Sequence, residues 1–117
     1  MSRINLIDLE IEHSKDRSKY LNNIIEYLKT IKDVCKRFDS NCKLLVFGSY
    51  ARGNMKEDSD IDLLLITEKA SSPSWRGKVL AAIGREIGLT APFEIHIITL
   101  EEYMRWYSKF IDVYKEV

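Results

Sequence analysis

The segment from Gly48 to Asp62 holds the residue types best suited to chemistry. Gly48 and Ser49 follow an apolar run, Lys43-Leu-Leu-Val-Phe47, where a strand should end and a helical turn begin. Backbone N–H groups at the start of a helical turn favour an anion, and glycine lets a phosphate approach the backbone closely. The Ser49 hydroxyl adds a donor. This corner therefore predicts phosphate binding.

Asp60 and Asp62 flank Ile61 at the entrance of a second apolar strand. Residues two apart on a strand project from one face, so the two carboxylates lie close together and repel each other. An exposed edge strand also tolerates such a pair. Converging carboxylate oxygens are, however, the ligands that Mg²⁺ prefers, and two such ions can clamp an in-line phosphoryl displacement. The pair predicts a divalent metal site.

The same segment fails to match two better-known ligand loops. A P-loop requires Lys followed by Ser or Thr after its second glycine, where this chain has Asn54 and Met55. An EF-hand loop beginning at Asp58 requires Gly and Glu at the positions that Leu63 and Lys69 occupy. Both interpretations are excluded.

The spacing of Gly-Ser and Asp-x-Asp resembles the signature of the DNA polymerase β-like nucleotidyltransferase superfamily. The strings Gly48-Ser49-Tyr50-Ala51-Arg52-Gly53 and Ser59-Asp60-Ile61-Asp62-Leu63 are similar to its minimal nucleotidyltransferase (MNT) branch, of the HEPN/MNT antitoxin type. The resemblance covers the chain from about Lys43 to Thr99. It implies an α+β (α/β) fold in which helices cover a small mixed β-sheet, here with a long N-terminal helix.

The resemblance also implies roles for individual residues. Asp60 and Asp62 would be catalytic and bind the metal ions, with Glu94 on a later strand as the third carboxylate, either a metal ligand or the base toward the acceptor hydroxyl. His96 shares the strand face of Glu94 and is interpreted as a polar group at the core edge or beside the ligands. The implied nucleotide-binding residues are Gly48, Ser49, Arg52, Lys56 and Ser59.

The activity implied by the resemblance is transfer of a nucleoside monophosphate, AMP from ATP, to a hydroxyl with two Mg²⁺ ions. Stand-alone MNT proteins further imply a HEPN-domain toxin as the partner that is modified and neutralised. Two alternatives stay open. The chain is a catalytically weak or inactive nucleotide-binding module that neutralises a partner by binding alone, or it is a small-molecule (antibiotic-type) nucleotidyltransferase.

Composition narrows the class of protein. A chain of 117 residues forms a single domain, 1–117. Eighteen basic residues balance eighteen acidic ones, so no extended nucleic-acid surface is expected. The longest apolar run, from Ile61, is interrupted by Asp62 and is too short for a membrane span. Because Cys35 and Cys42 make no disulfide framework and no signal peptide is seen, a cytoplasmic location is predicted.

Hydrophobic periodicity predicts the elements that position the site. An apolar stripe predicts an N-terminal helix over about 9–38. The catalytic core, about 43–99, contains three predicted strands (43–47, 60–67 and 93–99) and a helix from Trp75 that Gly88 ends. A capping box at Thr99–Glu102 opens a C-terminal helix of about 100–117. Its aromatic residues recur at helical spacing and predict an interface with a partner or a second copy: Tyr103, Trp106, Tyr107, Phe110 and Tyr114.

Overall fold

A mixed β-sheet forms the centre of the computed structural model, which describes residues 17–56 and 58–117. Its four strands lie in the order β3-β2-β1-β4. They span Lys43–Phe47 (β1), Ile61–Ile66 (β2), Phe93–Ile98 (β3) and Tyr114–Glu116 (β4). β2 is parallel to β3 and antiparallel to β1, and β4 is antiparallel to β1. The predicted α+β class and small mixed sheet are confirmed.

The helices are α1 (Ile24–Phe38), α2 (Gly48–Arg52), α3 (Pro73–Ile87) and α4 (Leu100–Arg105), with 3₁₀ turns at Glu68–Ser71 and Tyr107–Lys109. Residues 17–22 are also helical, and a turn at Asn23 separates them from α1. The part of the predicted N-terminal helix before residue 17 lies outside the described residues. Within the described part of the chain, none of these helices has the length and apolar content that crossing a bilayer requires.

Side chains alternate along the strands, so the sheet has a large apolar cluster on one face and a small one on the other. Leu63 and Leu65 of β2 face α1 and α3 and are fully buried among residues such as Ile31 and Val79. The opposite face carries a smaller apolar cluster. Leu64 and its neighbours on that face are covered by Tyr103 and Tyr107. Beside this apolar cluster, the same face carries the polar residues near the beginnings of β2 and β3.

The C-terminal segment departs from the predicted helix of about 100–117. The capping box forms as expected, since Thr99 and Glu102 exchange their side-chain and backbone hydrogen bonds. The helix nevertheless ends at Arg105, and β4 pairs with β1 instead of continuing it. Pairing satisfies backbone groups along the edge of β1 that a helix would leave open to solvent. The prediction of a single C-terminal aromatic helix is therefore wrong.

The two cysteines also differ from expectation. Cys35 is buried in the last turns of α1. The turn that follows α1 brings Cys42 to a Cα–Cα distance of 6.1 Å, and the two residues form a disulfide. No spacing argument on two isolated cysteines identifies such a pair, because the contact depends on the turn between helix and strand.

A matched pair of leucines tests this core. Leu65 is completely buried, whereas Leu89 is 94% exposed. We expect Leu65→Ala to lower the free energy of unfolding by about 2–5 kcal/mol, because it removes buried surface and leaves a cavity. Leu89→Ala should change it by less than about 0.5 kcal/mol. Urea unfolding followed by circular dichroism measures both, and equal losses would contradict the assigned core.

Candidate active site

Asp62 and Glu94 lie side by side on neighbouring strands. The parallel register of β2 and β3 places Asp62 directly opposite Glu94, and the antiparallel register of β1 places Phe47 opposite Asp62. Directly opposed residues project from the same sheet face. Glu94 shares this face with His96, while Phe93, Ile95 and Ile97 pack against the helical layer, as the alternation of β3 predicted. Two carboxylates from separate parts of the chain therefore converge.

His96 completes a cluster with the two carboxylates. Asp62, Glu94 and His96 each offer one ligand atom, and these atoms all lie within 4.8 Å of one another. The His96 Nε2 atom is 3.5 Å from Oε1 of Glu94. The ring of His96 lies between those of Phe47, 6.1 Å away, and Tyr107, 5.9 Å away. The sequence predicts for His96 a polar role at the core edge or beside the ligands. The fold brings its nitrogen to the ligand atoms, and its spacing of two residues from Glu94 is the signal that places both side chains on one face.

Gly48 is required by the approach of the backbone to Asp62. Gly48 has a φ of +72°, in the left-handed region that glycine adopts without strain. A Cβ atom at this position would lie 2.0 Å from Oδ2 of Asp62. The first residue of α2 therefore packs directly against the carboxylate at the centre of the cluster, and Ser49 follows in the same turn. The predicted phosphate corner and Asp62, one residue of the predicted acidic pair, meet at this contact.

The electrostatics of the cluster are unfavourable without a cation. Burial raises the pKa of Asp62 most, and the charge and hydrogen bond of Glu94 raise it further. The charge of Asp60 acts in the same direction, while His96 opposes it. A bound divalent cation would offset this repulsion. The hard oxygen donors of Asp62 and Glu94 match a divalent metal in chemistry as well as in proximity.

Asp60 lies outside the three-residue cluster. It precedes β2, its side chain is 55% exposed, and its Oδ1 atom is 3.4 Å from Nη1 of Arg17. The guanidinium of Arg17 also donates to the backbone carbonyl of Ser59. Arg17 is 43 residues away from Asp60 in the chain, and no motif in the sequence links the two. Only the fold brings a basic side chain to the entrance of β2.

The remaining predicted nucleotide-binding residues surround the corner without joining the cluster. Ser49 and Ser59 are half-buried, and Ser59 donates its N–H to the carbonyl of Lys56 at 3.1 Å. Arg52 and Lys56 are exposed. Their side chains make no hydrogen bond or ion pair with another residue among those described. Their contact with a nucleotide stays a prediction.

The part of the chain that contains this site matches a known protein family. The model named "Nucleotidyltransferase domain" matches residues 28–116, most of the chain and all of the site elements. The chain therefore belongs to the nucleotidyltransferase domain family of the polymerase β-like superfamily. The predicted enzyme class, a nucleotidyltransferase, is confirmed at the level of the family.

Proteins of Methanocaldococcus jannaschii, each named "Putative protein adenylyltransferase", resemble the chain in sequence. One is 32% identical over 62 residues, which cover 53% of this chain and 61% of that protein. A second is 47% identical over 51 residues, 43% of this chain and 33% of that protein. A third is 41% identical over 51 residues, 44% and 59% of the two chains. The matched region is thus less than two thirds of each relative.

Solved structures resemble the fold. A protein described as "putative nucleotidyltransferase" superposes with a TM-score of 0.65 and 24% identity, covering 76% of this chain and 95% of that one. A second, from Sulfolobus solfataricus and described in the same words, gives a TM-score of 0.51 and 20% identity, covering 82% and 83%. At these identities the likeness establishes the fold, and it agrees with the family assignment.

Two glycines with nearly the same backbone conformation test the contact at Asp62. Gly48 and Gly53 have φ values of +72° and +77°, but only Gly48 is close to another group, since a Cβ at Gly53 would meet nothing within 4 Å. Replacing either by alanine should cost about 1–2 kcal/mol of stability through backbone strain. We expect Gly48→Ala alone to abolish Mn²⁺ binding measured by calorimetry, because it displaces the Asp62 carboxylate. Equal metal affinity in the two variants would contradict this geometry.

Two aspartates with opposite pKa shifts test the electrostatics. Because folding raises the pKa of Asp62 above its ordinary value of 3.8, its ionisation destabilises the fold as pH rises. Asp62→Asn should therefore raise the free energy of unfolding at pH 7 in EDTA, with no gain below about pH 3.8. The hydrogen bond from Thr67 lowers the pKa of Asp39, so its charge stabilises the fold above pH 3.8.

The control variant is accordingly Asp39→Asn. It should lower the free energy of unfolding at pH 7, the opposite sign to Asp62→Asn, because it removes a carboxylate whose ionised form the fold prefers. Urea unfolding of both variants and the wild type at pH 3 and pH 7 gives the comparison. A loss of stability in Asp62→Asn at pH 7 would show that Asp62 is not under repulsion.

Proposed function

We propose that this protein is a Mg²⁺-dependent nucleotidyltransferase that transfers AMP from ATP to a hydroxyl group on a partner protein. The observation that carries the proposal is the cluster of Asp62, Glu94 and His96 packed against the Gly48–Ser49 turn. Membership of the nucleotidyltransferase domain family supports the reaction class. The names of the Methanocaldococcus jannaschii relatives support a protein as the acceptor.

Each group at the site has a part in this reaction. Asp60, Asp62 and Glu94 would hold Mg²⁺, and the backbone at Gly48 and Ser49 would bind the triphosphate. The bound ions would neutralise charge that develops on the departing pyrophosphate. To act as a ligand, Asp60 would have to give up its contact with Arg17. Arg17 keeps its hydrogen bond to the Ser59 carbonyl and so fixes the entrance of β2.

Glu94 is placed to meet the acceptor. Its side chain is 59% exposed and stands on β3, the strand at the edge of the described sheet. An acceptor hydroxyl can therefore approach it without crossing the sheet. Glu94 accepts the hydroxyl proton if it acts as the base, or holds a metal ion if it acts as the third ligand. His96, 3.5 Å from Oε1, fixes the orientation of this carboxylate in either role.

The partner we propose is a HEPN-domain toxin that the chain neutralises by adenylylation, as the MNT resemblance implies. The exposed aromatic and apolar side chains of the C-terminal segment support a contact surface, although not on one helix. Met104 and Trp106, on and just after α4, are 67% and 56% exposed, and Tyr114 on β4 is 50% exposed. Such exposed apolar residues are enriched at protein interfaces. With ATP as substrate, the cytoplasm is the expected location.

Transfer of label tests the enzyme. The wild-type protein with labelled ATP, Mg²⁺ and the product of the adjacent gene should label that product. Asp62→Asn should lower the rate at least about 100-fold, because loss of a metal ligand removes transition-state stabilisation. Asp33→Asn, on the exposed face of α1, is the control and should leave the rate unchanged.

The second candidate function, neutralisation by binding alone, gives a different result in this experiment. Tight complex formation without label transfer, unaltered by Asp62→Asn, would support the binding module and contradict the enzyme. The exposed apolar residues of the C-terminal segment favour it as the alternative. A small-molecule acceptor would instead show label on a low-molecular-weight product, with none on the protein partner.

A further inference from the structure

Aromatic rings lead away from the acidic cluster across the open face of the sheet. His96 belongs to the cluster, and its ring contacts that of Tyr107 at a centroid distance of 5.9 Å. Tyr107 is half-buried against the apolar cluster of this face, which fixes its position. The next ring, Phe110, contacts Tyr107 at 6.3 Å. Phe110 is therefore two ring contacts from the residues that would hold the metal and the phosphates.

Phe110 is held by a contact with another ring and yet is largely exposed to solvent. The plane of its ring makes an angle of 78° with the ring plane of Tyr107, which is an edge-to-face contact between the two aromatic rings. Yet 70% of Phe110 is exposed. Leaving a large apolar ring in water forgoes the free energy that its burial would provide. A ligand that covers it would recover that free energy.

The other exposed aromatic ring of the segment is differently placed. The Nζ atom of Lys109 lies 5.9 Å from the ring centroid of Trp106, so a cation already occupies one side of that ring. In the described part of the chain Trp106 has no ring contact leading toward His96. Trp106 therefore provides a natural comparison for Phe110 within the same short segment.

We propose that Phe110 is the stacking platform for the base of the nucleotide. This inference rests on the proposed function, because the phosphates of the same nucleotide would bind at Gly48–Ser49 and the metal cluster. A nucleobase offers a flat π surface that stacks on an aromatic ring. The base thus lies over the C-terminal segment while the reacting phosphate lies over β2. Tyr107 is the positioning residue that holds Phe110 in place.

The experiment separates base binding from phosphate binding. Calorimetry with a non-hydrolysable ATP analogue and with inorganic tripolyphosphate, each with Mg²⁺, measures the two on the same folded protein. We expect Phe110→Ala to weaken binding of the ATP analogue roughly tenfold and to leave tripolyphosphate unchanged. Phe110→Tyr should restore the wild-type affinity, and Trp106→Ala should match the wild type on both ligands.

Four outcomes would overturn the inference. If Phe110→Ala weakens both ligands equally, Phe110 supports the fold of the site and not the base. If it weakens neither, the exposed ring serves another partner. If the wild type binds tripolyphosphate as tightly as the ATP analogue, the base contributes nothing, although the proposed phosphate site stands. If the wild type binds neither ligand, the proposed function fails together with the inference.

Discussion

The candidate active site depends on holding two carboxylates together where burial and mutual repulsion both oppose it. Asp62 and Glu94 face each other across a parallel strand pair, and Gly48 packs its backbone against one of them. Burial and the neighbouring Glu94 charge raise the pKa of Asp62 as a result. A fold does not gain stability from this arrangement, whereas a site that binds a cation and triphosphate requires it. The repulsion is thus a cost that ligand binding relieves.

The buried apolar residues of β2 hold Asp62 beside Glu94 in spite of the repulsion between the two carboxylates. Ile61, Leu63 and Leu65 point from β2 into the helical layer and are fully buried, and their alternation leaves Asp62 on the other face. The burial of these residues anchors the register of β2 against β1 and β3, because a slip by one residue would reverse every side chain. The same burial therefore stabilises the fold and positions the carboxylate. At the strand entrance, Arg17 supplies a countercharge for Asp60.

The C-terminal segment lies on the same face of the sheet as the candidate active site. Tyr103 and Tyr107 pack on the sheet beside the site, and β4 completes the edge of β1. This packing leaves Trp106 and Phe110 exposed at the border of the same face. In the proposed function, this one short segment would provide both an aromatic ring for the nucleotide and apolar surface for a protein partner. A partner that binds there would lie close to the acceptor side of the cluster.

Local signals in the sequence determined β1, β2 and β3, the Gly-Ser corner, the Asp-x-Asp pair and the place of Glu94, because each depends on spacing along a few residues. The bounds of β1 follow directly from its apolar run, and the capping box at Thr99 gave the start of α4. Tertiary structure alone decided the pairings of β4 with β1, of Arg17 with Asp60 and of Cys35 with Cys42. These contacts join residues whose spacing carries no periodic signal. Helical spacing of the C-terminal aromatics predicted a helix to the end of the chain, but the edge of β1 offers backbone partners to the last strand, in which Tyr114 lies.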